Sequence, residues 1–318
     1  MRLLHCIVAA LIAAPVHAQT WPSKPIRVMV PFPPGGSTDI VARIMASKLE
    51  KPLGQPLVVE NRGGAGGTIG AAVGAKAAPD GYLLTFGSTS THVVAPSVYS
   101  KLEYDPVKDF APISLVAVSP YLLAVNPKVE AKSVKELVAL MKAQPGRLNY
   151  ASAGVGSTTH LAMEMLNLAA QTKAVHVPYN GNGPATTALV GGQVEILFGS
   201  LPALLSQVKA DRVRAIAVGT PKRSPSLPDV PTVAESGYAG FDASLWLAFF
   251  APAGTPQPVV DRLHREIVAT LKDPETRQTL DKAGAEPLSS TPAELAAMIR
   301  EGVPKYAAVV KAAGVKPE

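Results

Sequence analysis

The stretch IRVMVPFPPGGSTDIVARIMASKL, residues 26–49, decides the fold class. It begins with a short β-branched run and continues through a loop, residues 33–39, that is rich in Pro, Gly and hydroxyl side chains. Beyond the loop, apolar residues recur at spacings of three and four, at Ile40, Val41, Ile44, Met45 and Leu49. This order of patterns predicts a strand, a tight loop and an amphipathic helix.

The same unit recurs along the chain. Further apolar runs lie at residues 57–60, 82–86, 148–151, 174–177, 194–198 and 213–218. Loops rich in Gly, Ser and Thr follow three of them, at residues 61–68, 87–92 and 152–160. Strands that alternate with helices predict parallel sheets covered by helices on both faces.

Two apolar segments, 115–125 and 243–250, lie where one block of units gives way to another. We interpret them as strands that cross between two domains. The first domain is then residues 19–119 together with 246–318, and the second is residues 120–245. Two helices are expected in the tail, at 258–271 and 292–299, because Thr-Pro pairs precede both.

The first eighteen residues have the features of a cleavable export signal. Arg2 precedes an apolar run of about a dozen residues, and Val16-His17-Ala18 supplies the small residues that signal peptidase requires, so we expect cleavage after Ala18. The run is too short to span a bilayer, which needs about 20 residues. The sequence therefore predicts a soluble exported protein without disulfides, since Cys6 is the only cysteine.

Composition excludes several classes of protein. Hydrophobic residues make up 47% and charged residues 17% of the chain, which does not fit a disordered protein or a coiled coil. The net charge of +6 is scattered and forms no basic block, so no nucleic acid partner is expected.

The glycine loops have the chemistry of an anion site. Loops at the carboxyl ends of parallel strands face the crevice where ligands bind, and the first turn of the following helix carries free N–H groups and a partial positive charge. The loops 33–39 and 152–160 contain no arginine. A small carboxylate held by amides and hydroxyls fits this pattern, although Ser37, Thr68 and Ser157 could equally be plain helix caps.

Other chemistries find little support. Neither a dinucleotide fingerprint nor a Gly-Lys phosphate loop is present, and the histidines do not have the spacing of a zinc site, so neither cofactor nor metal is expected. One enzymatic alternative stays open, an exported serine hydrolase that uses Ser37 or Ser157 with His92 or His160. The main prediction is a binding protein with no catalytic residue.

Five motifs in order strongly resemble the Bug family, the periplasmic solute receptors of tripartite tricarboxylate transporters. They are PFPPGGSTD at 31–39, ENRGGAGG at 60–67, YASAGVGSTTHLA at 150–162, VPY at 177–179 and APAGTP at 251–256. The resemblance implies a type II periplasmic-binding-protein-like α/β fold, with two domains that are joined by crossing strands and close on a ligand cleft. It also implies delivery of a di- or tricarboxylate, or a related acid, to a membrane permease. We further expect a monomer, and a solute sensor that passes its ligand-bound state to a membrane partner is an open alternative.

Carried over by position, the resemblance implies ligand contacts from both domains. They are Phe32, Gly35, Gly36, Ser37, Thr38, Asp39, Gly66, Gly67 and Ser88 from the first domain, and Gly154, Gly156, Ser157, Thr158, His160 and Tyr179 from the second. Departures from the family pattern at Asn180, Thr187, Leu247 and Ala248 leave open which carboxylate fits.

Overall fold

The computed structural model describes residues 21–315, and within them lie ten strands and ten α-helices, together with a 3₁₀ turn at Ala65–Gly67 and a π-helical turn at Ser90–Val94. The strands are β1 (Ile26–Val30), β2 (Leu57–Asn61), β3 (Leu83–Ser88), β4 (Phe110–Val125), β5 (Asn149–Ser152), β6 (Val175–Pro178), β7 (Ile196–Ser200), β8 (Arg214–Val218), β9 (Ser244–Pro252) and β10 (Glu286–Pro287). The helices are α1 (Ser37–Leu53), α2 (Thr68–Ala75), α3 (Ala95–Val98), α4 (Val134–Ala143), α5 (Thr158–Ala170), α6 (Asn182–Gly191), α7 (Leu201–Lys209), α8 (Gln257–Lys272), α9 (Pro274–Lys282) and α10 (Pro292–Ala312). The predicted signal peptide and its cleavage after Ala18 lie outside the described residues.

The strands form one hydrogen-bonded path in the order β2-β1-β3-β9-β4-β7-β5-β6, and β8 and β10 also pair with β4. At one end of this path β1 is parallel to β2 and β3, and at the other end β5 is parallel to β6 and β7. These are the predicted repeating units, so the strand-loop-helix interpretation is confirmed.

The two long strands β4 and β9 connect the parallel strands at the two ends of the path. They pair antiparallel from Phe110 opposite Pro252 to Pro120 opposite Ser244. Strand β9 also runs antiparallel to β3, and β4 runs antiparallel to β7 and β8. Both crossing strands were predicted, but the sheet is mixed and not parallel throughout, because each crossing strand runs against its neighbours.

The core lies where the helices cover this sheet. Most of β4 and β9 is buried, as expected for strands with neighbours on both edges and helices on their faces. Phe86 of β3 meets Phe249 of β9 edge to face, with ring centroids 4.7 Å apart. No helix between residues 21 and 315 combines the length and apolar character needed to cross a membrane.

The tail differs from the prediction. It holds three helices instead of two, since α9 follows α8 directly and is capped by Asp273, which accepts a hydrogen bond from the Thr276 amide. Helix α10 begins as predicted, with a reciprocal capping box between Thr291 and Glu294, but it continues through Pro304 to Ala312. It continues because its later apolar residues pack against α3 and α5.

Candidate ligand-binding site

A small cavity lies among the loops that follow β1, β3 and β5. Its volume is about 20 Å³, which is room for about one water molecule, so the surrounding loops are closed on each other. The lining residues are Phe32, Gly36, Ser37, Thr38, Ser88, Ser90, Tyr121, Ala153, Thr158, Thr159, Asn182 and Leu245. Among these described lining residues none is Lys, Arg, His, Asp or Glu, so the site has hydroxyl, amide and apolar character.

Helix α1 presents its amino end to this cavity. Its N-cap is Gly36, and no side chain caps the helix, so the amides of the first turn keep free donors. Ser37 and Thr38 are both buried and line the cavity. The helix dipole adds a partial positive charge of about half a unit at the same place. An anion in the cavity would therefore be bound by amide and hydroxyl donors.

Asp39 holds this loop in shape. Its carboxylate accepts hydrogen bonds from the Gly35 amide at 3.0 Å, from Arg43 Nε at 2.9 Å and from Asn61 Nδ2 at 2.9 Å. The same Asn61 nitrogen donates to the carbonyl of Phe32 at 2.9 Å. Asp39 is buried, lies outside the cavity lining and orders the loop that precedes α1.

The loop between β5 and α5 is ordered by its own hydroxyls. Ser157 caps α5, because its Oγ accepts from the His160 amide at 3.3 Å while donating to the Gly154 carbonyl at 2.7 Å. The Thr159 hydroxyl accepts from the Ala153 amide at 2.8 Å. The capping interpretation is thus confirmed for Ser157. Gly154 has a φ of 124°, which side chains other than glycine rarely adopt, so the turn depends on it.

Three hydroxyls join the loops across the cavity. Thr158 Oγ1 lies 2.9 Å from Ser90 Oγ and is also hydrogen-bonded to the Tyr121 hydroxyl. The Thr158 amide donates to Ser90 Oγ at 3.2 Å. Burial raises the pKa of Tyr121, so its hydroxyl stays protonated. Tyr99, at the end of α3, donates to the carbonyl of Val155 at 2.8 Å, which ties α3 to the loop between β5 and α5.

A stack of rings lies behind the second loop. The rings of His160 and His176 are 3.9 Å apart and nearly parallel, and Tyr150 stacks on His176 at 4.9 Å. Burial lowers the pKa of His160 to about 4, and burial together with His160 lowers that of His176 to about 3. Both rings are therefore neutral near pH 7. His160 Nδ1 accepts a hydrogen bond from the Gly156 amide at 3.1 Å, so this ring positions the loop.

The structure brings some of the predicted contact residues together at the cavity and leaves others behind it. The lining includes Phe32, Gly36, Ser37, Thr38, Ser88 and Thr158. The remaining ones lie outside the lining, namely Gly35, Asp39, Gly66, Gly67, Gly154, Gly156, Ser157, His160 and Tyr179. Several of these allow close packing: a Cβ built on Gly66 would lie 2.8 Å from the Tyr99 hydroxyl, and one on Gly67 2.8 Å from the Phe32 ring.

Six lining residues are additional to the prediction: Ser90, Tyr121, Ala153, Thr159, Asn182 and Leu245. Three of them lie inside loops that the sequence had already singled out. Tyr121 follows Pro120 on a predicted crossing strand, which was the available signal. Asn182 comes from the start of α6, and only its position after the Tyr179-Asn180-Gly181 turn could have pointed to it.

Comparison with known proteins shows which family the chain belongs to. The family model described as the tripartite tricarboxylate transporter family receptor matches residues 41–315. Protein BugT of Bordetella pertussis is 40% identical over 311 residues, which cover 98% of this chain and 95% of BugT. The chain belongs to the tripartite tricarboxylate transporter receptor family. The resemblance to Bug proteins is therefore confirmed.

Two similar solved structures carry bound acids. A protein of R. palustris, solved with adipate, is 34% identical and superposes with a TM-score of 0.92, covering 94% of this chain and 100% of that one. MatC from Rhodopseudomonas palustris, solved with malate, is 36% identical with a TM-score of 0.87, covering 91% of this chain and 100% of that one. The predicted periplasmic-binding-protein-like α/β fold is confirmed by the likeness to the solved periplasmic binding protein BugD, which is 38% identical with a TM-score of 0.90, covering 94% of this chain and 100% of that one.

Membership of this receptor family makes the protein a solute-binding receptor and not an enzyme. The hydrolase alternative is therefore wrong, and the site geometry gives the reason. Ser157 Oγ caps α5, and the His160 ring accepts from the Gly156 amide. His92 is fully buried, stacks on Phe250 at 3.9 Å and is hydrogen-bonded through Nδ1 to Thr91, while burial lowers its pKa to about 3.

Proposed function

We propose that this receptor captures a small organic acid, a di- or tricarboxylate or a close relative, in the cavity between α1 and α5. The observation that carries the proposal is the uncapped amino end of α1, which faces a buried cavity lined by hydroxyls and amides and by no cationic residue among those described. Such a site stabilises the negative charge of an anion with helix dipoles and hydrogen bonds instead of a positively charged side chain. The bound adipate and malate of its relatives support this ligand class.

Capture requires the site to open, because its volume of about 20 Å³ is too small for any dicarboxylate. We propose that the two moving bodies are residues 19–119 with 246–318 and residues 120–245. The pairing of Pro120 with Ser244 lies at the proposed boundary, so bending of β4 and β9 there would separate the loops. The Ser90 to Thr158 hydrogen bond would then form on closure.

The remaining steps follow from the receptor family. We propose that residues 1–18 direct export to the periplasm, where the mature protein binds its acid and delivers it to the membrane permease of a tripartite tricarboxylate transporter. Support comes from the signal-like sequence of these residues and from the family description.

Titration calorimetry with succinate, malate, adipate and citrate tests the proposal, with the neutral diamide succinamide as a shape-matched control. At least one acid is expected to bind with a Kd near 1 µM, which corresponds to about −8 kcal/mol, and succinamide is expected not to bind at the same concentration. Equal binding of acid and amide, or the absence of binding by any organic acid, would contradict it.

A further inference from the structure

Two buried side-chain oxygens in the cavity have no hydrogen-bond partner among the described residues. One is Oδ1 of Asn182, whose residue is 8% exposed, and the other is Oγ of Ser88, whose residue is 1% exposed. Both residues line the cavity. Buried polar atoms are nearly always hydrogen-bonded, so these two require a partner that the protein itself does not supply.

The Asn182 carboxamide is held in one orientation. Its Nδ2 donates to Ser200 Oγ at 3.0 Å, and this contact leaves Oδ1 as the free atom of the amide. Asn182 is the first residue of α6, which has no side-chain cap and begins against the start of α1. A Cβ built on Gly36 would lie 3.5 Å from Asn182 Cβ, so the amide lies beside the N-cap of α1.

The chemistry of the free atom determines what can satisfy it. An amide oxygen only accepts hydrogen bonds, and an ionised carboxylate has none to donate. The partner must therefore carry an O–H or N–H group. A serine hydroxyl both donates and accepts, so Ser88 can bind the same group or its neighbour.

We infer that Asn182, with Ser88, forms the subsite that selects acids bearing a hydroxyl or amino substituent. This inference rests on the proposed function, since the carboxylate of the same ligand occupies the amino end of α1. A site built to bind such a group discriminates strongly against an analogue that lacks it, because its buried polar atoms are then left unpaired. Asn182 is thus a specificity-determining residue.

Calorimetry with matched acids tests the inference. Within each of three sets, the acids differ only in the substituent. The sets are succinate, malate and aspartate; glutarate, 2-hydroxyglutarate and glutamate; and propionate, lactate and alanine. In the set that binds most tightly, the substituted acid is expected to bind at least tenfold more tightly than the unsubstituted one. Acids that bind with Kd values within threefold of each other in every set would overturn the inference and leave the proposed function intact. Binding of none of these acids would overturn the inference, and it would count against the proposed function as well if adipate and citrate also failed to bind.

Variants assign the discrimination to the subsite. Asn182→Ala is expected to weaken binding of the substituted acid about tenfold and binding of the unsubstituted acid less than threefold, which removes most of the preference for the substituted acid. Asn180→Ala, the same change at an exposed residue two positions earlier, serves as the matched control and should keep the preference. If the preference in Asn182→Ala equals that of the control, Asn182 does not select the ligand.

Two further variants guard against misfolding. Ser88→Ala removes a hydroxyl that has no protein partner, so thermal melting should be unchanged while the substituted acid binds at least threefold more weakly. Asn182→Asp places a carboxylate at the same position and is expected to raise the preference for the amino acid over the hydroxy acid at least tenfold, since only the ammonium is attracted. An unchanged preference in both variants would overturn the inference.

Discussion

Closure of the site depends on the absence of a side chain at Gly156. A Cβ built there would lie 2.2 Å from Cγ1 of Val98, which is fully buried on α3. Gly156 also has a φ of 67°. In Gly156→Ala the left-handed conformation costs about 1–2 kcal/mol, and the clash adds about 1–3 kcal/mol, the usual cost of overpacking.

The clash acts on the closed state alone, because Val98 and Gly156 lie in different bodies of the proposed division. It should therefore weaken ligand affinity by about 5- to 150-fold, which is the equivalent of 1–3 kcal/mol. Gly146→Ala is the matched control, since Gly146 has a φ of 75° but no atom within 4 Å of a built Cβ. Both variants should lose similar unfolding free energy from backbone strain, and only Gly156→Ala should lose affinity by calorimetry. Affinities within twofold of each other would refute the closure argument.

Four other predictions can be checked with the same protein. Thr158→Val keeps the side-chain volume but removes the hydroxyl that meets Ser90 Oγ of the other proposed body, at a cost of about 0.5–1.5 kcal/mol to the closed state, so calorimetry should show affinity reduced about two- to tenfold; an unchanged Kd would argue against the bridge. Ser157→Ala removes the cap of α5 and should lower the unfolding free energy by about 0.5–2 kcal/mol in urea while also weakening carboxylate binding; wild-type values for both would contradict it. Burial lowers the pKa of His160 to about 4 and that of His176 to about 3, so the stability that their neutral rings contribute is complete above the unfolded pKa near 6.5 and is lost as the pH falls toward the folded values. Urea melts should therefore show lower stability at pH 5 than at pH 7.5. The reverse order would show that the rings are not buried as neutral groups. Ligand binding itself should fade below about pH 4, where the acid protonates, and equal binding at pH 3 would contradict an anion site.

The strand-loop-helix units could be predicted because each has a strong local signal. In β1 and α1 the β-branched run, the glycine loop and the spacing of three and four all fall within 24 residues of chain. The crossing strands were also visible as long apolar segments. Their direction was not, because pairing of Phe110 with Pro252 depends on residues far apart in sequence.

The missed parts have weaker local signals. Helix α9 buries only Thr276 and Leu280, so its apolar stripe is too short to stand out, and its evidence was the Asp273 cap. Pro304 was a reason to end α10 early, since proline disrupts a helix interior, but packing of the later turns outweighs that cost.

The same distinction applies to the site. Ser37, Thr38 and Thr158 line the cavity and lie in loops that their own sequence identifies. Asn182 and Tyr121 reach it only because the tertiary fold brings α6 and β4 to the same place. The hydrogen-bond partners that separate Asp39 from the lining residues are likewise a property of the folded chain.

A crystal structure of the protein with its tightest-binding acid tests the central claim most directly. The account predicts one carboxylate oxygen within hydrogen-bond distance of the amides or hydroxyls of Ser37, Thr38 or Thr158, in the cavity at the amino end of α1. An acid bound elsewhere, for example in the separate groove beside Tyr99 and Leu102, would contradict it.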